Sequence, residues 1–95
     1  MGCAGLQLPV RVDHRLAADL VEDDPAALQR IHSALDSAPD ISLVGIARNA
    51  AQGLELVKAG GFDVLLCDLG LPDGSGISVI REAAKLHPEA DVIVI

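Results

Sequence analysis

Three carboxylates attract attention by where they fall. Glu22 and Asp23 close an apolar run, Leu16 to Val21, and Asp68 closes a second one, Val64-Leu65-Leu66-Cys67. A charge between Cys67 and Leu69 is expensive to bury without a partner, so Asp68 is a poor candidate for an idle surface group. Acidic residues after strands also cap helices or face solvent, and for Glu22 and Asp23 taken alone that reading stays open. If the two runs are neighbouring strands, roughly 4.8 Å apart, the three groups converge in one shallow pocket. Left bare they repel, and at least one pKa rises. A divalent cation removes the conflict. Mg²⁺ takes oxygen ligands in near-octahedral geometry and keeps several waters, so one or two carboxylates suffice.

The elements that must position these groups follow from the pattern of the chain. The first strand, Leu16 to Val21, contains one misfit, Asp19, which partial exposure or a local partner would have to accommodate. Asp24 is a natural N-cap for a helix opened by Pro25, with Leu28, Ile31 and Leu35 on its inner face. Ile41 to Ile46 reads as a second strand. Asn49 caps a second helix that runs through Lys58, with Leu54, Val57 and the alanines inward, and Gly60-Gly61 ends it. Phe62 to Leu69 is the strongest strand signal. Gly70 to Gly76 is a loop, with Asp73 as a turn residue near enough to add to the negative field and Ser75 as a helix cap. A third helix places Ile77, Ile80, Ala83 and Ala84 inward and closes at His87-Pro88. Asp91 to Ile95 begins a fourth strand. Strand and helix alternate throughout, and near-continuous apolar strands argue for a parallel sheet covered on both faces, an open, doubly wound α/β fold.

Composition narrows the function classes. Fourteen acidic against seven basic residues give a formal net charge of −7 over 95 residues, enough for one domain. The basic residues are scattered, which disfavours a nucleic-acid-binding surface. No apolar stretch approaches the roughly 18 to 20 residues that span a bilayer. Cys3 and Cys67 have no metal-ligand spacing and form no disulfide framework, so a reduced, cytoplasmic setting is expected. His14, His32 and His87 read as surface residues. The glycines after Asp68 are not followed by Lys-Ser/Thr, which rules out a P-loop. Residues 1–14 read as a flexible tail, and 15–95 as the domain.

The stretches Leu-Val-Glu-Asp-Asp-Pro at 20–25 and Leu-Leu-Cys-Asp-Leu-Gly-Leu-Pro-Asp-Gly-Ser-Gly at 65–76 resemble the receiver domains of bacterial two-component response regulators. The resemblance runs from Leu16 to Ile95. It implies a flavodoxin-like (CheY-like) sheet of strand order 2-1-3-4, with the fifth strand and last helices missing. It implies that Asp68 is the phosphoacceptor, that Asp23 and Asp68 ligate Mg²⁺, that Glu22 acts through a metal-bound water and that the Gly70 backbone carbonyl completes the protein ligands. It implies a sensor histidine kinase as donor and a C-terminal output domain, of the helix-turn-helix transcriptional kind, outside this chain. The family's switch residues, a Ser or Thr after the fourth strand and a Lys after the fifth, have no counterpart here, and Lys58 and Lys85 lie in helices where they cannot substitute. Two other readings stand beside the phosphoacceptor. One is a degenerate receiver acting as a phosphorylation-independent interaction module. The other is a small Mg²⁺-dependent phosphohydrolase, disfavoured because no general acid follows Asp68 at short spacing. The regulatory readings make the domain no enzyme in its own right. An open edge at the fourth strand further suggests a homo-oligomer.

Overall fold

The computed structural model describes residues 15–95. The expected tail, with Cys3 and His14, lies outside the described residues. The elements run β1 (Leu16–Val21), α1 (Pro25–Asp36), β2 (Ile41–Ala47), α2 (Ala50–Ala59), β3 (Val64–Cys67), β4 (Gly70–Leu71), β5 (Gly74–Ser75), α3 (Gly76–Leu86) and β6 (Asp91–Val94). Four strands form one parallel sheet in the order β2-β1-β3-β6, and β4 and β5 make a small antiparallel hairpin. With β6 as the fourth strand of the large sheet, this is the expected doubly wound order. The hairpin occupies part of the expected loop.

The order has a direct consequence for the helices. The chain steps one way from β1 to β2, then back across β1 to β3. Crossovers between parallel strands are right-handed, so α1 covers one face while α2 and α3 share the other, where they pack against each other. The main core lies on that second face, built from Val21, Val57, Phe62, Leu65, Val79 and Ala83 among others. Three capping predictions hold: Asp24, Asn49 and Ser75 each accept a backbone N–H of the first turn of α1, α2 and α3.

Three expectations need correction. On α3, Ile77 is 45 % exposed and Ala84 is exposed, while Val79 and Ala83 are fully buried; the inner stripe is rotated onto Gly76, Val79 and Ala83, with Gly76 against the Asp68 carbonyl and Val79 beside Gly53 of α2. His87 is half-buried rather than a surface residue. Its ring meets Phe62 edge-on at 5.0 Å, and Nε2–H donates to the carbonyl of Val57 at 2.7 Å, tying the end of α3 to the end of α2.

Asp19 is the third. It is only 3 % exposed, in the middle of β1, and burial pushes its carboxyl above the usual range. The adjoining strand makes room for it. The β1–β2 register slips between Ala18, which faces Leu43, and Asp19, which faces Gly45. Val44 is left over and turned outward, 57 % exposed. A Cβ at Gly45 would stand 2.5 Å from Asp19 Oδ1 and 3.0 Å from Leu56 Cδ2. The bulge and the glycine together form a notch for the carboxyl, as bulges re-aim side chains elsewhere.

Gly45→Ala is therefore expected to lower stability by about 1–3 kcal/mol through overpacking. Asp19→Ala in the same chain should recover at least half of that loss, because the two groups compete for one space. Urea unfolding followed by circular dichroism checks this; strictly additive effects would contradict the notch.

Candidate acidic site at the strand ends

In an open parallel sheet, functional groups collect beyond the carboxyl ends of the strands, where the winding direction reverses. Here that point lies between β1 and β3, and the backbone delivers the three carboxylates to it. The ladders continue past the last strand residues. Glu22 N–H donates to the Ala47 carbonyl at 3.0 Å, and Asp68 N–H donates to the Val21 carbonyl at 2.9 Å. Asp68 is thus held alongside β1, immediately before Glu22 and Asp23. One carboxylate oxygen from each of Glu22, Asp23 and Asp68 lies within 4.8 Å of the others. The convergence expected from the sequence is present.

The electrostatics match that crowding. Glu22 is 6 % exposed, and its carboxyl is held above the usual range. Burial is the largest cause, the charges of Asp68 and Asp23 add to it, and the N–H of Asp24 opposes it. That N–H donates to Glu22 Oε2 at 3.1 Å. Asp23 and Asp68 are half-buried, and so remain open to solvent on one side. Beneath them the Cys67 thiol is pushed up to about 11 by burial and by the charges of Asp68 and Glu22. It points to the carbonyls of Asp68 and Gly76 at 3.3 and 3.8 Å. As a neutral, buried group it is packing rather than chemistry.

The donor set fits a hard divalent cation. Octahedral Mg²⁺ with oxygens at about 2.0–2.1 Å separates its ligands by roughly 3 to 4.2 Å, close to the spread of these three oxygens. Soft donors are absent from the group, which disfavours zinc or copper. Gly70 sits on β4, with its N–H directed at Asp68 Oδ1 across 3.4 Å. The segment carrying it is closely packed against Asp68: Gly76 N–H donates to the Leu69 carbonyl at 2.8 Å, and a Cβ at Gly76 would overlap the Asp68 carbonyl oxygen. Lys58 and Lys85 fall in the last turns of α2 and α3, the helix ends far from the carboxylates, so neither reaches the site.

Asp73 has a larger role than a turn residue. Its carboxylate is directed at the N-terminus of α2, where Oδ1 accepts from Ala50 N–H at 2.6 Å and Oδ2 from Ala51 N–H at 3.0 Å. Those two bonds hold its carboxyl below the usual range. The partners are 22 and 23 positions away in sequence, beyond any local capping pattern. A carboxylate in a glycine-rich loop was the available signal, but that it meets the first N–H groups of α2 depends on the tertiary fold.

Comparison with known proteins agrees with the geometry. The family described as the response regulator receiver domain matches residues 19–95. The chain is 34 % identical over 75 residues to the nitrate/nitrite response regulator protein NarL of Escherichia coli strain K12, covering 79 % of this chain and 35 % of NarL. It is 32 % identical over 75 residues to a protein-glutamate methylesterase/protein-glutamine glutaminase of Methanospirillum hungatei, covering 79 % of this chain and 21 % of that protein. It therefore spans about a fifth to a third of the length of these curated relatives. Among solved structures, the response regulator domain of Thermotoga maritima CheB superposes with a TM-score of 0.74 at 23 % identity, over 84 % of this chain and 59 % of that one. The isolated receiver domain of RcsB from Salmonella enterica serovar Typhimurium gives 0.75 at 23 %, over 84 % and 60 %. A parallel sheet wound in the order β2-β1-β3-β6, an acidic cluster at its switch point and a family match across 19–95 lead to one assignment: the chain belongs to the response regulator receiver domains of two-component signalling.

Proposed function

We propose that this domain accepts a phosphoryl group on Asp68 from a histidine kinase, in a reaction that depends on Mg²⁺. The observation that carries the reading is the convergence of Glu22, Asp23 and Asp68 within 4.8 Å. Asp23 and Asp68 would hold the cation directly, Glu22 would act through a water of its shell, and the Gly70 carbonyl would complete the protein ligands. When bound, the cation supplies charge neutralisation for the carboxylates and the incoming phosphoryl oxygens. A carboxylate oxygen of Asp68 forms a new bond to phosphorus as the bond from phosphorus to the donor's imidazole nitrogen breaks. The nitrogen leaves with the electron pair, and Asp68 becomes an acyl phosphate. The fixed backbone of Asp68, bonded to Val21, orients the nucleophile and spares the reaction that ordering step.

The added phosphoryl group brings about −1.5 to −2 charge, and the reading assigns its effect to signalling toward an output domain of the transcriptional kind. The relatives by name include transcriptional regulators, such as the DNA-binding transcriptional activator DevR/DosR of Mycobacterium tuberculosis. Catalysis by the domain would be limited to its own phosphorylation and dephosphorylation. A cytoplasmic setting, with no direct contact to nucleic acid by these residues, belongs to the same reading. Among the described residues, no helix is long and apolar enough to cross a membrane.

Two measurements test the proposal. Mg²⁺ at about a hundredfold its dissociation constant should stabilise the domain by about 2.7 kcal/mol, read as a rise in Tm by circular dichroism, and Asp23→Asn should lose most of that gain. A Tm that responds equally in both proteins would contradict the metal assignment. Separately, label from a small phosphoryl donor should reach the wild-type chain only with Mg²⁺ and should not reach Asp68→Asn. Label persisting in that variant would overturn the phosphoacceptor; a wild-type chain that binds Mg²⁺ yet never accepts label would favour a phosphorylation-independent interaction module.

A further inference from the structure

The two bonds from Asp73 to α2 join parts of the molecule that the sheet does not otherwise connect. Asp73 lies in the turn of the β4–β5 hairpin, between paired residues Leu71 and Gly74. The hairpin tip also meets α2 through space, since a Cβ at Gly74 would stand 4.0 Å from the Ala50 Cβ. One hairpin strand begins at Gly70, whose N–H faces Asp68 Oδ1, and the other leads to Gly76, whose N–H holds the Leu69 carbonyl. The hairpin therefore bears on Asp68 at two points, its side chain through Gly70 and its carbonyl through Gly76. The α2 end is itself firmly built: Asn49 Oδ1 accepts from Gln52 N–H at 2.7 Å, and Gln52 Oε1 accepts from Arg48 N–H at 2.9 Å. Asp73 is exposed and lies outside the cluster formed by Glu22, Asp23 and Asp68, so it acts on the site through the backbone and not as a ligand.

We propose that Asp73 is a positioning residue, which anchors the β4–β5 hairpin to the N-terminus of α2 and thereby sets the placement of Gly70 and of the Asp68 carboxylate for cation binding and phosphoryl transfer. The link to cation and phosphoryl chemistry rests on the function proposed above; the anchoring of the hairpin does not. A carboxylate suits the task because it accepts two N–H groups at once and carries the charge that a helix N-terminus favours.

Three variants separate positioning from general stability and from charge. Asp73→Ala removes both bonds. Asp73→Asn keeps one acceptor oxygen and removes the charge. Asn49→Ala removes a cap of the same helix whose bond goes to Gln52, and so controls for loss of helix stability. The readouts are the Mg²⁺ dissociation constant by calorimetry, the rate of label transfer from a small phosphoryl donor, and amide hydrogen exchange at Gly76. Asp73→Ala should weaken Mg²⁺ binding several-fold, slow transfer about tenfold, in keeping with the cost of small misplacements, and accelerate Gly76 exchange about tenfold. Asn49→Ala should leave all three within about twofold of wild type, and Asp73→Asn, which keeps one of the two acceptors, should fall between Asp73→Ala and wild type. The proposal is overturned if Asp73→Ala behaves as wild type, if Asn49→Ala is equally damaging, or if Asp73→Asn is as poor as Asp73→Ala. Should the wild-type chain take neither Mg²⁺ nor label, the proposed function fails, and Gly76 exchange alone then decides the anchoring: faster exchange in Asp73→Ala supports it, and unchanged exchange overturns it.

Discussion

Three like charges that cannot move apart set the terms for this domain. Near a protein surface, two unit charges about 4 Å apart repel by about 4 kcal/mol before counter-ions and water screen them. A flexible chain would relieve that by separating the groups. Here the parallel ladders prevent it, because Glu22 and Asp68 are bonded through their own backbone N–H groups to Ala47 and Val21. Burial is the main reason that the Glu22 carboxyl is raised, and the charges of Asp68 and Asp23 add to it. Carboxylates held together in this way would favour a compact cation between them, which is the basis of the metal reading proposed above.

The rest of the structure can be understood as support for that cluster. Fully buried Val21 and Cys67 fill the sheet directly beneath it, so the carboxylates rise from a rigid floor. Gly76 lets the start of α3 come against the Asp68 carbonyl where any side chain would overlap it. Asp73 ties the hairpin to α2 from the other side. Each contact limits a different freedom of Asp68: its backbone along β1, its carbonyl side against α3, and its flanking hairpin against α2. In the transfer proposed above, preorganisation of this kind would spare Asp68 an ordering step.

Much of this was legible in the residues, and the exceptions share a cause. Element order, the three helix caps and the acidic trio follow from short-range pattern and from the cost of burying Asp68. Asp19, Asp73 and His87 do not, because each is accommodated by residues far off in sequence. Asp19 is buried where exposure or a local partner was expected, and what admits it is a register slip and a glycine on the neighbouring strand. Asp73 finds α2 across more than twenty positions, and His87 finds Val57 across thirty. Helical spacing places Ile77 inward, but in the packed fold Val79 is the buried residue and lies beside Gly53 of α2. Local chemistry tells which groups need a partner; only the packed fold says which partner they meet.

The central claim is that the fold holds Glu22, Asp23 and Asp68 together in a repulsive cluster that a divalent cation relieves. The most direct test is a carbon NMR titration of the Glu22 side-chain carboxyl, with and without saturating Mg²⁺. The account predicts that, without the cation, Glu22 titrates above the ordinary glutamate value of 4.5, and that Mg²⁺ moves the titration to lower pH. An ordinary glutamate curve in the cation-free protein, or a raised one that Mg²⁺ leaves in place, would contradict it.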